Sequence, residues 1–221
     1  MEGKASEVEW GILAITIIFI VVGYMVLQGT RASLAWRKAA AGGDADVIRQ
    51  MLEESIAAWL SAKRPKEVAP DVWRGVQSLG LIDVASDSAR VSCQVESEYR
   101  LVNGRWLEIT SPLQEGLAVT VRLADMLLYD VPNLSLPAVR IDVHTTFRDP
   151  DGASQRACIL TTTASREVAR DVDWEGWTAA EIVDAFGGRY RLGERGAALP
   201  IDPEEGAEAP AASGSGAQAG R

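Results

Sequence analysis

From Trp10 to Leu27 the chain reads WGILAITIIFIVVGYMVL, a run without a charged residue, in which Thr16 and Tyr24 interrupt an otherwise apolar stretch. About 20 apolar residues, rising 1.5 Å each as a helix, cross a hydrocarbon core. The run is apolar on every face, whereas a helix lying on a soluble core shows one apolar stripe. Trp10 and Tyr24 stand near its two ends, at the depths that amphipathic rings favour. The sequence therefore predicts a transmembrane helix over 10–28. A cleaved signal peptide would need a basic leader, a shorter apolar core and a small-residue cleavage site. The leader 1–9 instead sets Glu2, Glu7 and Glu9 against Lys4, and the run is followed by Gln28, Gly29, Thr30 and Arg31.

Basic residues give the anchor a direction. Arg31, Arg37 and Lys38 follow it closely, and no acid appears until Asp44. Cytoplasmic flanks carry the Lys/Arg excess. The expected topology is a single pass in the cell membrane, with leader 1–9 outside and the C-terminal domain cytoplasmic. Segment 29–43 is a basic juxtamembrane stretch and linker. Within it RASLAWRK either lies along the inner surface, with Leu34 and Trp36 in lipid, or continues the helix. AAAGG at 39–43 is a flexible break before the domain.

Residues 44–200 have the length and patterning of one folded domain. Asp44 is a good N-cap, and Val47, Ile48, Met51, Leu52, Ile56, Trp59 and Leu60 recur at helical spacing until Pro65 stops them. Pro70 opens a second helix through Leu79. From Ala89 the signature becomes β. A strand through Val102 meets Asn103-Gly104, the pair suited to a type I′ turn, and Arg105–Thr110 returns as the second arm of a hairpin. Over 111–131 the signals conflict: Ser111-Pro112 is a helix start, while Leu117, Val119, Val121 and Leu123 alternate. The alternation, Gly116 and the β-branched residues favour a turn at 112–116 and a strand from Leu117 towards Tyr129. Val139–Phe147 alternates apolar with polar residues, Asp149–Gly152 is turn chemistry, and Gln155–Ala164 gives the next strand. Thr178–Phe186 is a last helix ended by Gly187-Gly188. Acids with alanine, glycine and serine make 201–221 a disordered tail. The expected fold class is α+β: N-terminal helices packed on an antiparallel sheet of about five strands, with a closing C-terminal helix.

The net charge of −9 repels phosphate backbones, and no basic stripe offsets it, which excludes nucleic acid as a main partner. Cys93 and Cys158 sit in strand-like apolar contexts and read as packed free thiols. His144, the only histidine, shares a strand face with Asp142, a pairing common on polar faces and no evidence of catalysis alone. Glu96 and Glu98 stand beside Arg100 on a solvated face. Zinc would need further Cys or His at short spacing, and the glycine pairs lack a phosphate cradle's lysine and strand-loop-helix context. No catalytic, cofactor or metal site is expected.

Of the seven tryptophans, Trp174 and Trp177 flank a short acidic turn, where they serve either as core or as contacts for a partner. The expectation is a non-enzymatic accessory or assembly protein, tethered to the lipid bilayer, whose cytoplasmic domain binds another protein there. The alternative is a ligand-binding or sensor domain with an apolar pocket between sheet and N-terminal helix, lined by residues such as Val143, Phe147 and Trp59.

Overall fold

The computed structural model describes residues 16–28, 38–39, 42–148, 151–194 and 196–205. Residues 16–28 are helical with exposed side chains. Among the described residues no helix is long and apolar enough to cross a membrane. The first part of the expected span, with Trp10, lies outside the described residues, as do the leader and flanking Arg31 and Arg37.

The domain begins where its cap was expected. Asp44 accepts from the Asp46 and Val47 amides, and α1 (Ala45–Ser61) follows, burying Ile48, Leu52 and Ile56 at intervals of one turn. Pro70, preset for a first helical turn, opens α2 (Pro70–Val76). Next come β1 (Gly80–Val84) and β2 (Ser88–Gln94), an antiparallel pair. The strand expected over 89–102 is broken after Gln94, and β3 (Glu98–Val102) instead pairs with β4 (Arg105–Thr110) in a separate two-stranded ribbon. Its turn is the one the sequence demands, with Asn103 at φ 51° and Gly104 at φ 77°.

Residues 112–125 overturn the strand expected from Leu117 onward. They form α3 (Pro112–Asp125), started by a capping box in which Ser111 and Gln114 bond each other's backbone amides. The alternation had a second meaning. Leu117 with Val121, and Val119 with Leu123, are also spaced four apart, so both pairs suit neighbouring stripes of one helix. Val119 and Leu123 are fully buried, Leu117 and Val121 half-buried. Packing outweighs the modest cost of β-branched residues in a helix. The last turn widens into a π segment, Met126–Asp130.

Because α3 is a helix, the chain crosses over instead of turning back. Strand β5 (Ala138–Arg148) lands parallel to β2, which a hairpin connection could not achieve. Strand β6 (Ser154–Ser165) returns antiparallel, followed by α4 (Arg166–Ala169), α5 (Ala179–Ala185), β7 (Arg189–Leu192) and β8 (Ala198–Leu199). The fold is α+β, but the sheet is mixed and six-stranded, in the order β1-β2-β5-β6-β7-β8, rather than antiparallel with about five. Nor does the last helix close the chain: β7 and β8 follow it. Residues 201–205, assigned to the tail, lie against the domain, with Ile201 bridging Cys158; residues from 206 onward lie outside the described set.

Val91 and Cys93 of β2, Ile141 and Val143 of β5 and Leu160 and Ala164 of β6 face the helices and make the core. Two glycines set how closely α3 is held. A Cβ on Gly116 would stand 3.2 Å from Val143 Cγ1, and one on Gly75 of α2 only 2.4 Å from Val119 Cγ2. Gly75→Ala is therefore expected to destabilise the protein by ~1–3 kcal/mol through overpacking, against the roughly 1 kcal/mol that alanine gains in a helix. Denaturant unfolding checks this, and Val119→Ala in the same chain should recover part of the loss.

Candidate functional site

A concavity among the described residues follows from the π segment. This segment buries Met126, Leu127 and Leu128 and leaves Tyr129 and Asp130 at the surface. Its end frees backbone carbonyls that need partners. Arg166 meets one of them: its guanidinium donates to the Leu128 carbonyl and also, through Nε at 3.1 Å, to the Leu136 carbonyl beyond the loop. The same guanidinium lies 5.0 Å from the Tyr129 ring centre. Asn133 turns the chain at φ 62°, a left-handed geometry asparagine tolerates.

Loop 130–133 thereby faces the outer side of α1. Between them lies a groove of about 430 Å³, lined by Met51, Ser55, Ala58 and Trp59 from the helix and by Pro132 and Asn133 from the loop. Glu54 and Asp130 add two carboxylates to the lining. A second hollow, sharing Asp130, Pro132 and Asn133, continues along the loop past Leu134 to Pro137. Met51 and Trp59 belong to the stripe expected to pack inward. They stand at its margin, half-buried, and give the groove adaptable apolar contacts. The loop residues carried no signal beyond turn composition. Neither Val143 nor Phe147 lines this groove: Val143 is buried in the core, and Phe147 packs against it.

The structure separates the two tryptophans singled out in the sequence. Trp174 stands edge-on to Tyr129 at 6.2 Å and tilted against Phe186 at 6.0 Å, with its indole N–H donating to the Ala169 carbonyl. It braces the Tyr129–Arg166 support of the loop. Trp177 is 42% exposed and free of that cluster's ring contacts. Of the expected anchor residues, Tyr24 is exposed on helix 16–28, its hydroxyl accepting from the Gln28 amide at 2.6 Å, and Lys38 is exposed.

Opposite the helices the sheet is polar. Asp142, fully buried, accepts from Arg90 Nε at 2.7 Å, Arg140 Nε at 3.3 Å and the Thr161 hydroxyl at 2.6 Å. Glu204 reaches back from the C-terminal segment to pair with both arginines. With those donors on its oxygens, Asp142 is committed to the arginines, and His144 Nδ1 is buried without a hydrogen-bond partner. Burial first, then Arg156, pull the His144 pKa below its ordinary value. Across the β5–β6 ladder stands Cys158, its thiol donating to the Leu160 carbonyl and pushed by burial to a pKa of about 11. A thiol held protonated is a poor nucleophile. Burial raises Cys93 to about 12. Glu98 pairs with Arg100 at 3.7 Å on the surface, as the solvated-face reading has it. Among the described residues no group of acids, histidines and cysteines is placed to hold a metal ion.

No family model, curated protein or solved structure matches the chain.

One acid carries a strongly shifted equilibrium. Glu115 points inward from α3 with its side chain buried, and burial raises its pKa to about 7 although Arg74 stands 3.4 Å away. Arg74 is itself half in solvent, too exposed to offset the desolvation. An unfolded glutamate ionises near pH 4.3, so the folded protein binds this proton more tightly than the unfolded chain. Its contribution to stability is thus greatest in acid, declines as pH rises from about 4.3, and is fully lost above about 7. Glu115→Gln is expected to stabilise the fold by ~1–3 kcal/mol at pH 8, with the difference vanishing towards pH 4.5. Denaturant titrations of both proteins at the two pH values measure it.

Proposed function

We propose that the chain is a membrane-tethered, non-enzymatic accessory or assembly protein whose cytoplasmic domain holds a segment of another protein in the groove along α1. The observation that carries this reading is the groove itself: an apolar floor with Trp59 and Met51, two carboxylates, and a loop wall flanked on both sides by carbonyls that Arg166 holds. Aromatic side chains with adaptable neighbours are common anchors of binding energy. Glu54 and Asp130 favour a segment that pairs apolar side chains with a lysine or arginine. Support for the tether remains the apolar run over 10–28 and its basic flank, Arg31, Arg37 and Lys38.

A second reading rests on the same groove. Its volume falls in the range of small-molecule sites, roughly 300–1,000 Å³, so the domain would sense an apolar ligand there instead of a protein segment.

Affinity capture of the full-length chain from gently solubilised membranes should return a stoichiometric partner. Ala58→Trp, which fills the groove from an exposed position, should reduce that recovery at least tenfold while leaving the melting temperature within about 2 °C, since surface changes cost within about 0.5 kcal/mol. Recovery of the chain alone in several mild detergents overturns the protein-partner reading. A melting temperature that rises with an added apolar compound, and does not rise in Ala58→Trp, favours the second. A C-terminal tag digested by protease in inverted vesicles but protected in intact cells checks the orientation.

A further inference from the structure

We propose that the β3–β4 hairpin is a bilayer contact that dips into the headgroup region and fixes which face of the domain meets the membrane. Every residue from Tyr99 to Ile109 is exposed, Trp106 by 69% of its surface. Registration places Tyr99, Leu101 and Trp106 on one face and Val102, Leu107 and Ile109 on the other, and both faces are open. A two-stranded ribbon is at best marginally stable in water, and this one presents apolar side chains on both sides. Such a surface marks an interaction site.

Charge selects the occupant. The protein as a whole carries −9 and is repelled by anionic lipid. The ribbon as a whole is neutral, Arg100 and Arg105 against Glu98 and Glu108, and Arg100 pairs with Glu98 at 3.7 Å; its tip half, from Leu101 to Leu107, carries Arg105 and no acid. Tryptophan, tyrosine and leucine with flanking arginines form the combination that settles at a lipid–water interface, the rings at headgroup depth and the guanidinium groups reaching phosphates. This inference rests on the membrane-tether reading.

The test uses the full-length chain reconstituted in vesicles of phosphatidylcholine and phosphatidylglycerol at 7:3, carrying lipids with a nitroxide quencher near the headgroup. Asn103→Cys bears an environment-sensitive fluorophore at the hairpin tip, with exposed Lys63→Cys as the comparison; native Cys93 and Cys158 are buried. The label at 103 should be quenched at least twice as strongly as that at 63. Its quenching should fall to the level of 63 in Leu101→Ser/Trp106→Ser, with the chain still floating with the vesicles, and at least halve without the anionic lipid. A chain that floats while position 103 is quenched no more than 63 overturns the hairpin contact and leaves the tether standing. Flotation lost in the double variant supports the hairpin and overturns the tether, whereas a chain that never floats overturns both. A label at 103 insensitive to lipid quencher but shielded from aqueous iodide in native membranes places a protein there and overturns the lipid contact.

Discussion

The close seat of α3 is the contact on which most of the domain depends. It lies against α2 where Gly75 leaves room for Val119, and against the sheet where Gly116 meets Val143. That position makes the connection from β2 to β5 a crossover and the ladder between them parallel. It also carries the π segment to the point where loop 130–137 must turn past α1. A side chain at either glycine would lift α3, and with it the loop that makes one wall of the groove. The buried Glu115 carboxylate is the cost of the arrangement, since it faces inward on the same helix with only a half-exposed arginine to meet it.

The sheet's other face is organised by charge. In the parallel ladder Arg90 stands directly beside Arg140, a juxtaposition that is unfavourable alone. Asp142 lies beneath the two guanidinium groups, tied also to Thr161 of β6, and Glu204 closes over them from the C-terminal segment. Pro203 adds its carbonyl, accepting from Arg140 and, at 2.9 Å, from Arg189 of β7. Three strands thus meet at one buried carboxylate, and the C-terminal segment is tied to the arginines around it. Networks of this kind add little net stability compared with apolar packing, but removing one member leaves an uncompensated charge, which costs several kcal/mol. This explains why residues 201–205, with the composition of a tail, are held against the sheet.

Local signals in the sequence were reliable where a single short-range interaction decides the outcome. Asp44, Asn103-Gly104 and the start at Thr178 all work through bonds within three residues, and each appears where expected. At residues 111–131 two local signals competed. The capping box of Ser111 and Gln114 prevailed because Val119 and Leu123 find a core at helical spacing, information that resides in α2 and β5. The mixed sheet was illegible for the same reason, because strand order follows from where α3 lies. In the site, Trp59 and Met51 were visible as members of an apolar stripe, but their place in the groove depends on a loop whose two flanks are held by Arg166, far away in sequence. Trp174 and Trp177 look alike in sequence and differ only in whether Tyr129 and Phe186 are near.

A shallow groove is consistent with a useful binding role only under particular circumstances. An opening of about 430 Å³ admits a few side chains, and much of what they gain on burial is offset by lost translational freedom and ordering of the segment. In free solution such a contact would be weak. The proposed tether would change this, because confining two proteins to one membrane plane raises the effective concentration of each site for the other. A weak contact would then gain occupancy and, because it dissociates rapidly, leave the pairing reversible. Orientation matters equally in that regime, since a groove turned towards the wrong side of its tether gains nothing from proximity. A domain that binds weakly and is fixed in its facing direction does what a tighter but freely tumbling one would need a larger interface to achieve.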